Sequence, residues 1–132
     1  MPHIKLSNGT TRPVNTIYCI GRSYVEHIHE LGNSVPDEPL VFLKPNSSLY
    51  TGDMLTLPDF SNNVHYETEV VLSIGENGTI DVAVGLDLTA RDVQDICKQK
   101  GLPWLKAKGF KNACWVGTFS PLKPNHDYTI LL

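Results

Sequence analysis

A β-rich α+β fold, with short strands in an antiparallel or mixed sheet and a few short helices, is predicted by the 132 residues. Three observations carry this. Strand patterns follow one another with only two helical patterns between them. Both helices are short and marked at their ends. The two longest strand patterns flank the turn sequence ENG at 76–78, which brings them back to back as a hairpin. A regular alternation of strand and helix, the mark of a doubly wound parallel sheet, is absent.

The elements follow in order. Residues 16–20, TIYCI, read as a strand. Ser23 and Glu26 then form an S-x-x-E capping box, Tyr24, Ile28 and Leu31 recur at helical spacing, and Gly32 with Asn33 supplies the stop. A strand is expected over 40–44, and GDMLTLP gives a turn and another short strand. HYETEVVLSIG is the longest strand, and after the turn TIDVAVGLDL returns. Thr89 is expected to cap a second helix with Asp92 at its third position and Val93, Ile96 and Cys97 as its buried stripe. Gly101 and Pro103 end that helix. LPWLKAKGFKN reads as a loop, and strands are expected near 114–119 and 127–132.

Composition bounds the function. At 41% hydrophobic and 19% charged residues the chain can bury one core, which excludes a disordered chain. A net charge of −3 with only scattered lysines argues against nucleic acid and anionic membranes as partners. No signal-like leader and no apolar run long enough to cross a bilayer is present, so a cytoplasmic protein is expected. Cys19, Cys97 and Cys114 are odd in number and widely spaced, which suggests neither a disulfide framework nor a thiolate zinc site.

The chemistry concentrates in HYETEV, residues 65–70. Side chains two apart on a strand share a face, so His65, Glu67, Glu69 and Val71 lie on one side and Tyr66, Thr68, Val70, Leu72 and Ile74 on the other. The run otherwise reads as a buried strand, and two carboxylates removed from water need a cation. A strand whose polar face looks into water is the alternative. Asp87, at the end of the returning strand, can bring a third carboxylate to the same space; its alternative role is that of the residue just before the helix. Three carboxylates form a hard oxygen site suited to Mg²⁺, Mn²⁺ or Ca²⁺. His27 and Glu30, three apart on the first helix, form either a carboxylate-oriented general base or an ordinary solvated pair.

The blocks CIGRSYVEHIHELGNSVPDEPLVFLKP, VHYETEV, GLDLTARDVQD and KGLPWLKAKGF, in this order over about residues 17–120, resemble the fumarylacetoacetate hydrolase family, in particular its small single-domain members. The resemblance implies a mixed β-sheet roll or sandwich of the type of that family's C-terminal domain. It implies Glu67, Glu69 and Asp87 as ligands of Mg²⁺ or Mn²⁺, a His27–Glu30 dyad on a lid segment, and Arg22, Gln94 and Lys108 as substrate contacts, Lys108 also serving the oxyanion. It further implies a homodimer. Ser23 stands where the family usually has Asn, Tyr66 where it often has His, and the connection between Gly75 and Gly85 is shorter. Relatives continue into a segment with a GD-x-I-x-TGTP motif that has no counterpart here. With DYTILL ending in a strand pattern and the earlier motifs intact, residues 1–132 are expected to be a single, incomplete catalytic domain.

The activity implied is metal-dependent hydrolysis of a carbon–carbon bond in an acylpyruvate or related small diketo acid. The same platform would serve as an oxaloacetate decarboxylase or keto–enol tautomerase. A non-catalytic relic that keeps the metal for stability is the reading from another class.

Overall fold

The computed structural model describes residues 1–21 and 38–131. The expected helix with Ser23, Glu26 and Gly32 at its ends lies outside them, as do Arg22, His27 and Glu30. The strands are β1 (His3–Lys5), β2 (Thr11–Pro13), β3 (Thr16–Gly21), β4 (Leu40–Pro45), β5 (Leu49–Tyr50), β6 (Val64–Ile74), β7 (Ile80–Ala90), β8 (Cys114–Val116) and β9 (Ser120–Pro121), with helices α1 (Arg91–Lys100) and α2 (Leu105–Lys108). β1–β2 and β3–β4 form two antiparallel pairs, and the main sheet runs β5–β8–β7–β6 with β9 on β7. β5 is parallel to β8 and the other pairings are antiparallel, so the sheet is mixed, as expected.

The β6–β7 hairpin organises the molecule. Gly78, at φ 71°, permits the turn, and its N–H donates to the Gly75 carbonyl. The ladder then runs unbroken from Ile74↔Ile80 to Val64↔Ala90 and sets Glu67 directly opposite Asp87 and Glu69 opposite Gly85. One face of this hairpin is inward. Val71 and Ala83 pack there with Ile4, Cys114, Val116 and Phe119 into the apolar core, and Arg12 pairs with Asp81 at 2.9 Å while donating to Ser73 Oγ at 2.7 Å.

Several expectations need correction. β6, read as a buried strand, is buried on one face only: Tyr66 is 70% and Ile74 74% exposed, with Val70 and Leu72 exposed beside them, while Glu67 and Glu69 are half-buried on the inner side as the cation reading requires. The reason is electrostatic: cations contributed by other elements wait on the carboxylate side. Residues 54–57 form no strand, because Tyr50 Oη donates to the Met54 carbonyl and Trp115 Nε1 to that of Gly52, curling the segment back. Leu49–Tyr50 takes the sheet position instead. Thr89 does not cap α1. Ladder pairing continues to Ala90, which becomes the N-cap residue without a side-chain bond. In α1, Gln94 and Cys97 are the buried residues and Ile96 is 49% exposed. Gly101, in the left-handed region, ends the helix as expected. The stretch read as a loop contains α2, and residues 127–131 form no strand, having no ladder partner among the described residues. Among those residues, no helix is long and apolar enough to cross a membrane.

Candidate metal centre

Strand periodicity and hairpin register place Glu67, Glu69 and Asp87 on one inner face, where one ligand atom from each lies within 4.8 Å of the others. Asp87 is buried at 8% exposure, and the two glutamates are half-buried. Gly85, opposite Glu69, lets the strands pack closely beneath the site: a Cβ there would lie 2.5 Å from Val71 Cγ2 and 3.0 Å from the Trp115 carbonyl.

Basic side chains from three elements meet these acids. Lys108, at the end of α2 and buried, donates from Nζ to Glu67 Oε2 at 3.1 Å and to Asp87 Oδ2 at 2.8 Å. The same ammonium sits 5.0 Å from the Phe42 ring centroid, a cation–π contact that closes one side of the site. Arg91, the first residue of α1, donates through one terminal nitrogen to Glu67 Oε1, through the other to Gln94 Oε1 at 2.8 Å, and through Nε to His65 Nδ1 at 3.2 Å. Lys44, only 1% exposed, reaches from β4 beneath Asp87. Its ammonium donates to the carbonyls of Leu88 (3.1 Å), Ala113 (3.0 Å) and Lys108, and stands 2.8 Å from Asp87 Oδ1. Asp87 Oδ1 thus has the ammonium charge beside it, with no hydrogen bond of good geometry reaching it.

Burial pushes the Glu67 carboxyl up, but the Lys108 ammonium and the Arg91 guanidinium outweigh it and hold it at about 2, against an ordinary 4.5. Burial, aided by the Asp87 charge, pushes the Cys19 thiol up to about 12, and burial pushes Cys114 up to about 11. Both thiols therefore stay protonated at neutral pH in the ion-free protein, and the clustered donors are carboxylate oxygens. Three clustered carboxylates form an all-oxygen, anionic donor set that fits a hard divalent cation such as Mg²⁺ or Mn²⁺.

Of the site residues expected from sequence, Glu67, Glu69, Asp87 and Lys108 come together here, and Gln94 joins through Arg91. Arg22, His27 and Glu30 fall outside the described residues. Sequence reasoning missed Lys44 and Arg91. A lysine inside the apolar run LVFLKP was the available signal for the first; an arginine four residues after Asp87 was that for the second.

The pattern of the fumarylacetoacetate (FAA) hydrolase C-terminal family matches residues 16–127. The chain is 40% identical over 117 residues to the mitochondrial oxaloacetate tautomerase of Bos taurus, covering 80% of this chain and 53% of that protein. It is 38% identical over 121 residues to an oxaloacetate tautomerase of Escherichia coli, covering 83% and 55%. Among solved structures it superposes on the fumarylpyruvate hydrolase of Pseudomonas aeruginosa, in complex with Mn²⁺ and pyruvate, with a TM-score of 0.81 at 33% identity, covering 91% of this chain and 59% of that one. The chain thus spans about half the length of the curated relatives it matches. A family pattern that matches residues 16–127, most of this chain, on the mixed sheet that carries the acidic cluster, means that the chain belongs to the fumarylacetoacetate hydrolase family.

Proposed function

We propose that the protein is a divalent-metal-dependent enzyme of small 2-oxo acids and that its reaction is the keto–enol interconversion of oxaloacetate. The observation that carries this is the carboxylate triad with the Lys108 ammonium bridging two of its members. The names of the relatives at about 40% identity support the substrate. Glu67, Glu69 and Asp87 would hold Mg²⁺ or Mn²⁺, which when bound supplies a Lewis acid for the keto-carboxylate end of the substrate. Lys108 places a fixed positive charge where an enolate oxygen gains negative charge; removing one such donor typically costs about 3–4 kcal/mol of barrier. Arg91 locks Glu67 from the opposite side and, through Gln94, ties α1 to the site. His27, oriented by Glu30, is the proposed base, moving a proton between the substrate carbon and the enol oxygen. Arg22 and Gln94 are proposed to hold the substrate. A cytoplasmic homodimer completes the proposal, with the exposed apolar faces of β3–β4 (Tyr18, Ile20, Val41, Leu43) and β6 available for pairing.

The fumarylpyruvate hydrolase neighbour favours a second reading on the same residues, hydrolysis of an acylpyruvate. His27 would then take a proton from water for attack on the distal carbonyl, with pyruvate leaving as its enolate. Oxaloacetate and acetylpyruvate, each followed by enol absorbance with product analysis before and after chelation, separate the readings. Chelator-sensitive equilibration of oxaloacetate without CO₂ release is expected. Acetate and pyruvate from acetylpyruvate would install the hydrolase, CO₂ the decarboxylase, and Mn²⁺ binding without turnover of either acid a binding domain.

A further inference from the structure

Among the described residues, two buried side-chain oxygens have no hydrogen-bond partner, Asp87 Oδ1 and Thr89 Oγ1. They are two residues apart on the inner face of β7, Asp87 opposite Glu67 and Thr89 opposite His65. Asp87 Oδ1 has the charge of Lys44 at 2.8 Å and keeps lone-pair capacity to accept a hydrogen bond. Thr89 has no such compensation and is 0% exposed. The usual task of a threonine ahead of a helix is performed by nothing here: Ala90 is the N-cap, and the Arg91 N–H already donates to the Asn63 carbonyl. A hydroxyl buried without a partner is a net cost that valine, of nearly the same shape, would remove.

Residues two apart on a strand have Cα atoms about 7 Å apart, which side chains leaning toward one bridging molecule can span. A water has two donors, and buried waters characteristically serve otherwise unpaired polar groups. We propose that Thr89 is a positioning residue of the carboxylate centre: its hydroxyl and Asp87 Oδ1 share one buried water, which fixes the Asp87 carboxylate for the divalent ion. The clause concerning the ion rests on the proposed metal site; the bridge itself does not.

A high-resolution crystal structure of the full-length wild-type protein without metal tests the bridge, and Mn²⁺ titration calorimetry of wild type, Thr89→Val and Thr89→Ser tests its role. One water within hydrogen-bond distance of both oxygens is expected, with Mn²⁺ affinity about tenfold weaker in Thr89→Val, the lower end for loss of a partner behind a metal ligand. Thr89→Ser, which keeps the hydroxyl, restores it. The ion-free melting temperature of Thr89→Val stays within a few degrees of wild type, because no direct protein hydrogen bond is lost. No water between the two oxygens, wild-type affinity in Thr89→Val, or a serine variant as weak as the valine variant each overturns the proposal. Should Thr89→Val not fold, a direct protein partner for the hydroxyl is implied and the bridge is overturned. Wild type failing to bind Mn²⁺ refutes the metal site, and the crystal structure then still decides the bridge.

Discussion

Replacing Lys44 by methionine keeps most of the aliphatic stem and removes the ammonium from a place with almost no access to water. Three consequences set the magnitude. Asp87 loses its charge contact on Oδ1 but keeps Lys108 on Oδ2, so the loss belongs at the low end of the about 3–5 kcal/mol for breaking a buried pair from one side. The Ala113 carbonyl still accepts from the Leu88 N–H. The Leu88 and Lys108 carbonyls lose a donor, at about 1 kcal/mol or more each. The sum is about 5 kcal/mol, comparable to the whole stability of many domains, which is about 5–15 kcal/mol. Urea unfolding reads it directly: with a slope of about 2 kcal/mol per molar, the midpoint falls by about 2.5 M. A midpoint within about 0.5 M of wild type at unchanged slope would refute the reasoning, since it would mean the cage of oxygens around Lys44 contributes little. A cycle with Asp87→Asn locates the effect: the double variant should be more stable than the two separate losses predict.

Further outcomes follow from the same geometry. Mn²⁺ at about one hundred times its Kd should stabilise the wild type by about 2.7 kcal/mol, and Glu69→Ala should abolish that rise in melting temperature while preserving the fold. Glu67 titrates at about 2 in the folded protein against an ordinary 4.5, so its contribution is complete above about 4.5 and disappears as the pH falls from there through about 2. Lys108→Met removes the leading cause of that depression, and circular dichroism in chelator should show acid unfolding begin at a higher pH. Gly85→Ala forces a methyl against Val71 and the Trp115 carbonyl, and chemical denaturation should register a loss of about 1–3 kcal/mol.

The carboxylate cluster was legible because two simple rules specify it. Alternation puts Glu67 and Glu69 on one face, and the ENG turn returns Asp87 to that face, so local pattern alone assembles the acids. Their counter-charges were not legible by the same route. Lys44 binds carbonyls from β7, the end of α2 and the start of β8, three places that only the folded chain brings together. Which side of β6 meets solvent was not legible either: alternation distinguishes two faces but does not say which one looks inward, and here the side that meets the buried cations is the inner one. Thr89 had the chemistry of a cap, but the ladder bond to Ala90 carried the strand one residue further and moved the helix start. The tail TILL has the composition of a strand, and composition cannot supply the neighbour that a strand requires.

The pairing of Glu67 with Asp87 across the hairpin makes the acidic site discrete. Backbone ladders shift in whole residues, and a shift of one turns a strand inside out. A single residue added to or removed from the turn at 76–78 could therefore expose Glu67 and Glu69 together and bring Tyr66 and Thr68 to face Asp87, with every carboxylate still present in the sequence. A shift of two would restore the facing but set Asp87 against Glu69 or His65. For this chain, the length of a distant turn is as much a specification of the metal centre as the acids themselves, and insertions there should behave as all-or-none changes in ion binding, while point substitutions on the same turn, Gly78 apart, pass almost unnoticed.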